Sequence, residues 1–192
     1  LIAFDETQSG FARTGEAFGY QHYDISPDLI CCGKGMGNGF PLSGVIGKQE
    51  IMDLPEVGNM SSTHSANPLS CSAGLAVIKE IESKNLIEES RLKGHFLREK
   101  LNQLKDNSKG KISYINCKGL IAAILFQDPK SGNPDSLLAS EISERCYQKG
   151  LLVVHTGRES IKIGPPLTIT KEALEEGIDV LSETFFELTK EI

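Results

Sequence analysis

Residues 30–44 read ICCGKGMGNGFPLSG, which places Lys34 directly after an apolar run and among glycines at 33, 35, 37 and 39. A lysine amine is a nucleophile or a base only when neutral, and burial favours that form because a desolvated ammonium is costly. Flanking glycines let another backbone or a flat ligand come close. Two phosphate-cradling readings of these glycines fail. A dinucleotide loop needs G-x-G-x-x-G, but the sixth position is Asn38 counting from Gly33 and Phe40 counting from Gly35. A nucleoside-triphosphate loop needs a glycine five residues before the Gly-Lys pair and Ser or Thr after it, where this chain has Asp28 and Gly35. What survives is an amine at the carboxyl end of a buried strand, which suits Schiff-base chemistry. The bland alternative is a solvated loop lysine.

Asp5 ends a second apolar run, LIAFDE. Ligands of α/β sheets bind in the crevice at the carboxyl ends of strands, so Asp5 and Lys34 are expected to face one crevice. A carboxylate beneath a pyridine ring keeps the ring nitrogen protonated and the ring an electron sink, the partner that pyridoxal phosphate requires. A strand-end aspartate is otherwise a cap or turn former. The pair, rather than either residue alone, carries the chemical reading.

The elements that must position this pair follow from the apolar pattern. LIAFDE, DLICC and PLSGVIG read as strands of a mainly parallel sheet, joined by the loop TQSGFARTGEAFGYQHYDISP. Pro68 opens a helix from Asn67 to about Ser83 with apolar residues at 71, 75, 78 and 81, a long buried-to-amphipathic helix. A second helix, about 86–105, carries Leu97, Leu101 and Leu104 on one face. The rhythm then changes: two strands around Lys118-Gly119, a helix over 136–148, LLVVHT and SIKIGPP as a hairpin pair, and a final helix. In that last helix Leu174, Ile178, Leu181, Phe185 and Leu188 form one apolar stripe. The expected division is 1–80 for part of a cofactor-binding α/β domain and 81–192 for a smaller α+β domain.

Composition limits the function classes. With 192 residues, 39% apolar and 24% charged, the chain has ordinary globular make-up. A net charge of −6 without a basic cluster gives no footprint for nucleic acid or an anionic membrane surface. No apolar run reaches the roughly 18 residues of a membrane-spanning helix, and no targeting segment opens the chain. Five cysteines without C-x-x-C spacing argue against a disulfide framework or a zinc site and for a reducing cytoplasm. The missing initiator Met and the apolar start imply that the chain begins inside a domain.

LIAFDETQSGFARTG, then PDLICCGKGMGNGFPLSGVIG, STHSANPLSCSAGLAVI and IKIGPPLTIT, together resemble the class III pyridoxal-phosphate aminotransferases, the family of ornithine, acetylornithine and 4-aminobutyrate transaminases. The resemblance runs through essentially the whole chain in order. It implies the α/β architecture of fold type I: a large domain with a mostly parallel sheet that holds the cofactor, then a smaller C-terminal α+β domain. By resemblance Asp5 binds the pyridine nitrogen, Gln8 lies near the phenolic oxygen, and Lys34 is the Schiff-base lysine. Thr63 reaches a cofactor phosphate in the neighbouring subunit of a homodimer with shared sites. The implied activity is ping-pong transfer of an amino group from an amine or amino-acid donor to a keto-acid acceptor. Aminomutases, racemases and decarboxylases share the family fold. The non-enzymatic alternative is a half-domain that acts only in assembly with another polypeptide.

The chain departs from the family pattern at several places. D-E-V-Q-T-G-F-G-R becomes D-E-T-Q-S-G-F-A-R, with Thr7, Ser9 and Ala12, and the aromatic-Gly-Gly after the phosphate-binding threonine becomes His64, Ser65 and Ala66. These changes are expected to leave the chemistry untouched. Where many members carry a carboxylate-clamping arginine, this chain has Lys162, with Arg158 nearby; these are the candidate substrate-binding residues, a lysine lacks the bidentate fork, and the alternative for Lys162 is a solvated strand residue. Arg13 has either a structural pairing or a cofactor role. The family's Ser-Gly-rich phosphate turn and ring-stacking aromatic have no counterpart in these residues. The expectation is the C-terminal half of an enzyme, inactive by itself.

Overall fold

The computed structural model describes residues 1–190 and divides into two compact units, Leu1–Glu89 and Ser90–Ile192. The division falls inside the helix Leu86–Asp106, beyond the boundary expected near residue 80.

In the first unit, β1 (Ala3–Asp5), β2 (Leu29–Cys32) and β3 (Gly44–Gly47) form a three-stranded sheet in that order. β1 and β2 run parallel, with Ala3 opposite Leu29 and Asp5 opposite Cys31. β3 returns antiparallel to β2, with Leu29 opposite Gly47 and Cys32 opposite Gly44. The mainly parallel sheet expected from the apolar runs is therefore not what these three strands make. A parallel neighbour needs a crossover of a dozen or more residues, usually a helix, and the connection over 33–43 holds only a short turn. Nor are the strands buried throughout: Leu1, Ile2, Val45 and Ile46 are exposed.

A one-turn helix α1 (Gln49–Met52) and an exposed stretch lead to α2 (Pro68–Ser83). Pro68 occupies the first turn, where its missing N–H costs nothing, and the Asn67 side chain caps the helix by accepting from the Leu69 and Ser70 amides at 3.0 and 3.4 Å. The buried face of α2 is not the expected one. Ser70, Gly74 and Ile81 are buried, whereas Leu75 and Ile78 are 60% and 43% exposed. Small residues face inward because the backbone comes close: a Cβ on Gly74 would lie 2.6 Å from Leu42 Cδ2 and 3.3 Å from the Met36 carbonyl oxygen. α2 thus rests on the turn that carries Lys34.

The second unit closes around its own core. α3 (Leu86–Asp106) leads to β4 (Ile112–Lys118) and β5 (Ile121–Phe126), followed by α4 (Ser136–Gln148), β6 (Val154–His155), β7 (Ser160–Ile163) and α5 (Lys171–Lys190). The sheet order is β4-β5-β7-β6, antiparallel throughout. Leu97, Leu101, Ile124, Ile142, Ile161, Leu181 and Phe185 are at most 2% exposed, and the Phe126 and Phe185 rings stack at 6.3 Å. Leu188 packs against this core from its edge. Gly94 of α3 must be glycine, since a Cβ there would stand 2.4 Å from Gly119 Cα in the β4–β5 turn. Among the described residues no helix is long and apolar enough to cross a membrane, and no His/Cys/Asp/Glu group is placed to hold a metal ion.

Candidate active site

The parallel β1–β2 pair brings the ends of both strands to one edge of the sheet, and three of the expected residues meet there. Lys34 Nζ donates to Gln8 Oε1 at 3.3 Å. The Asp5 carboxylate accepts from the Thr7 amide at 3.0 Å. Its pKa is held below the ordinary carboxylate value, first by the Thr7 hydroxyl and next by the Thr7 amide; slight desolvation pushes it up, and the positive charge of Lys34 pulls it down further. An aspartate so held stays anionic at neutral pH, beside an amine and a neutral amide.

Lys34 opens a short 3-10 turn, Lys34–Met36, directly after the buried Gly33. Its φ of 42° lies in the left-handed region, which costs a non-glycine residue roughly 1–2 kcal/mol. The glycines after it have different reasons. A Cβ on Gly37 would lie 2.1 Å from the Phe40 carbonyl oxygen, and Gly39 has φ 105°, so neither position admits a side chain without strain. Lys34 and Asp5 are both exposed, so the described residues do not supply the buried surroundings expected for the amine.

The other expected cofactor residue of this unit, Thr63, is not drawn into this cluster. Thr63 stands in an exposed stretch, and no hydrogen bond among the described residues joins it to Asp5, Gln8 or Lys34. The α2 amides at Leu69 and Ser70 are already taken by Asn67. Lys162 and Arg158 belong to the second unit: Lys162 lies on β7 between Ala123 and Val154, and Arg158 is exposed in the β6–β7 turn with Nε 3.6 Å from Glu159 Oε2. Arg13 is half-buried, and burial lowers its pKa.

Sequence reasoning missed Glu6, Thr7 and Ser9. Glu6 is 1% exposed, and its carboxylate accepts from Ser9 Oγ at 2.5 Å, the Tyr20 amide at 2.6 Å and the Gly19 amide at 2.8 Å. The signal was available in the alternation of a strand: the residue after Asp5 must face the opposite side. Thr7 and Ser9 touch the site's carboxylates: the Thr7 hydroxyl engages Asp5 and the Ser9 hydroxyl engages Glu6. Ala12 is fully buried at φ 69°, a conformation glycine would adopt without strain.

The fold is that of the fold type I enzymes. The chain belongs to the aminotransferase class-III family, whose model matches residues 1–185. It is 36% identical over 184 residues to a 4-aminobutyrate aminotransferase of Mycobacterium leprae, covering 95% of this chain and 41% of the relative. It is 38% identical over 183 residues to a leucine/methionine racemase of Thermococcus litoralis, covering 94% and 41%. The crystal structure of acetylornithine aminotransferase from Elizabethkingia anophelis superposes with a TM-score of 0.85 at 32% identity, over 95% of this chain and 44% of that one. The chain spans less than half the length of these proteins.

Proposed function

We propose that the full-length protein transfers an amino group with pyridoxal 5'-phosphate, and that this chain supplies the lysine that holds the cofactor. The observation that carries this reading is the meeting of Asp5, Gln8 and Lys34 at the carboxyl ends of β1 and β2. These residues fit the cofactor's ring: a carboxylate kept anionic suits a protonated pyridine nitrogen, an amide beside the amine suits the phenolic oxygen, and Lys34 Nζ is open to an aldehyde. They do not fit its phosphate, since Asn67 occupies the α2 amides. The phosphate cradle is proposed to come from residues outside this chain, together with Thr63 of a second copy in a homodimer.

The cofactor, when bound, draws electrons from a carbon that bears an amine. Lys34 holds it covalently at rest. After an amine or amino-acid donor displaces it, Lys34 Nζ would take the proton from the donor carbon and pass it to the cofactor-side carbon that accepts it. Asp5 would hold the ring nitrogen's proton while charge develops, and Gln8, already bonded to the Lys34 amine, would lie by the ring oxygen. The same residues acting on a keto-acid acceptor run the sequence backwards, which gives ping-pong kinetics. Lys162 and Arg158 are proposed to meet the substrate carboxylate. The five free cysteines favour a reducing, cytoplasmic setting.

The racemase relative at 38% identity supports a second reading, in which Lys34 removes a proton and a proton returns to the same carbon with no acceptor consumed. Incubating the full-length protein with an amino donor and 2-oxoglutarate separates the two. Glutamate and a carbonyl product are expected; inversion of the donor without glutamate would favour racemisation.

A further inference from the structure

We propose that Glu6 is a positioning residue of this site: its buried carboxylate locks the loop after β1 so that Gln8 meets Lys34. The proposal deepens the functional reading above and rests on it for the importance of Lys34, though not for the contact itself. Along β1 and its extension, Asp5 faces outward with Lys34 and Glu6 faces inward. Glu6 ties three segments together. Its amide donates to the Cys31 carbonyl at 2.9 Å, continuing the β1–β2 ladder, and its own carbonyl accepts from the Gly10 amide at 3.0 Å, closing the turn that contains Gln8. Its carboxylate takes the Gly19 and Tyr20 amides and the Ser9 hydroxyl, which draws the far end of the loop back against the near end. Hydrogen bonds to an ionised acceptor are about twice as strong as neutral ones.

The glycines confirm how closely the loop is wrapped. A Cβ on Gly10 would lie 2.9 Å from the Glu6 carbonyl oxygen, and one on Gly19 would lie 3.0 Å from Glu6 Oε2. Between these points Phe11 and Ala12 are held at φ 55° and 69°, a conformation that persists in such residues only when the surroundings impose it. The neighbouring Cys32 thiol is pushed up, first by burial and then by the charge of Glu6. A glutamine at this position would keep one acceptor oxygen and turn an NH2 group toward an amide N–H, whichever way it lay.

The test uses the full-length protein freed of cofactor, and reads the rate at which acetic anhydride acylates Lys34, by mass spectrometry, relative to the exposed Lys118. Lys48, in the same unit and paired with Asp28 at 2.6 Å, is the control. Gln8→Ala is expected to raise the Lys34 ratio roughly threefold to tenfold, the range for one lost hydrogen bond. Glu6→Gln is expected to raise it by the same factor, and the double variant to add nothing further, with Lys48 unchanged throughout. A wild-type Lys34 ratio in Glu6→Gln, multiplicative effects in the double variant, or a parallel rise at Lys48 would each overturn the proposal. Should Glu6→Gln not fold, Ser9→Ala decides the matter: a raised Lys34 ratio supports the proposal and a wild-type ratio overturns it. Because no cofactor is present, this outcome is separate from whether Lys34 carries one.

Discussion

The two units bury their apolar residues to very different degrees. In Ser90–Ile192 the stripe of α5 and the inner faces of α3, α4, β5 and β7 close on one another, leaving Leu97, Leu101, Ile124, Ile161 and Phe185 at most 1% exposed. In Leu1–Glu89 the large apolar side chains Leu54, Val57, Met60, Leu69 and Leu75 lie open, and the best buried side chains are the small or polar Ala12, Glu6, Ser70 and Cys32. The first unit uses its interior for polar anchoring of loops and carries the candidate site on its rim. The second has the packed core of a domain that is stable for its own reasons. An apolar pattern in sequence records burial in the whole protein, and the first unit's pattern asks for cover beyond the described residues, in keeping with relatives more than twice as long.

The largest expected effect sharpens this contrast. Phe185→Ala should cost the second unit about 3–5 kcal/mol, as removal of a buried aromatic does, whereas Leu75→Ala in the 192-residue chain should change stability by no more than about 0.5 kcal/mol. Chemical denaturation of both variants checks this, and a large loss in Leu75→Ala would erase the distinction between the units. Next in size is Asp5→Asn in the full-length protein. It removes the charge that holds the ring proton and should lower kcat by roughly 10²–10³-fold, the scale of one lost electrostatic contact to developing charge.

Thr63→Val probes whether the rim is completed by a second copy. Cofactor affinity should fall by about 1.5–3 kcal/mol, the range for a hydrogen bond to a charged group, in dialysis measurements on the full-length protein. Unchanged affinity would leave Thr63 as a loop residue only.

The smallest effect is in pH dependence. In the second unit Glu175 and Glu187 are held below their ordinary values by hydrogen bonds from Lys100 and Lys149, while these lysines are pushed up by the same contacts. The glutamates therefore add stability above their unfolded values near 4.3, lost as pH falls through the lower folded ones, and the lysines add stability below about 10.4, lost as pH rises through the higher folded ones. Lys100→Met should flatten the acid limb of a stability-pH curve slightly; an unaltered limb would remove the pair from the account.

How much of this was legible in the sequence follows the same division. The second unit was readable because Leu174, Ile178, Leu181 and Phe185 repeat at helical spacing and do face the core. In the first unit, apolar runs marked β1, β2 and β3 but carry no direction, so the antiparallel return of β3 was invisible. α2 was located correctly by Asn67 and Pro68, yet its face was misjudged, since packing against the Met36 carbonyl selects Gly74 and Ser70 over larger residues. Asp5 and Lys34 were legible because strand ends in α/β sheets gather chemistry. For Glu6 strand alternation marks only the inward direction; its partners were not legible, because the amides that meet it arrive from Gly19 and Tyr20, distant in sequence.

The central claim is that Lys34, held by Gln8 and faced by Asp5, carries the cofactor. Borohydride reduction of the full-length protein loaded with pyridoxal phosphate, followed by peptide mapping, tests it most directly. The account predicts a single pyridoxyl adduct on Lys34. An adduct on Lys48, already engaged by Asp28, or on Lys162 in the second unit would contradict it.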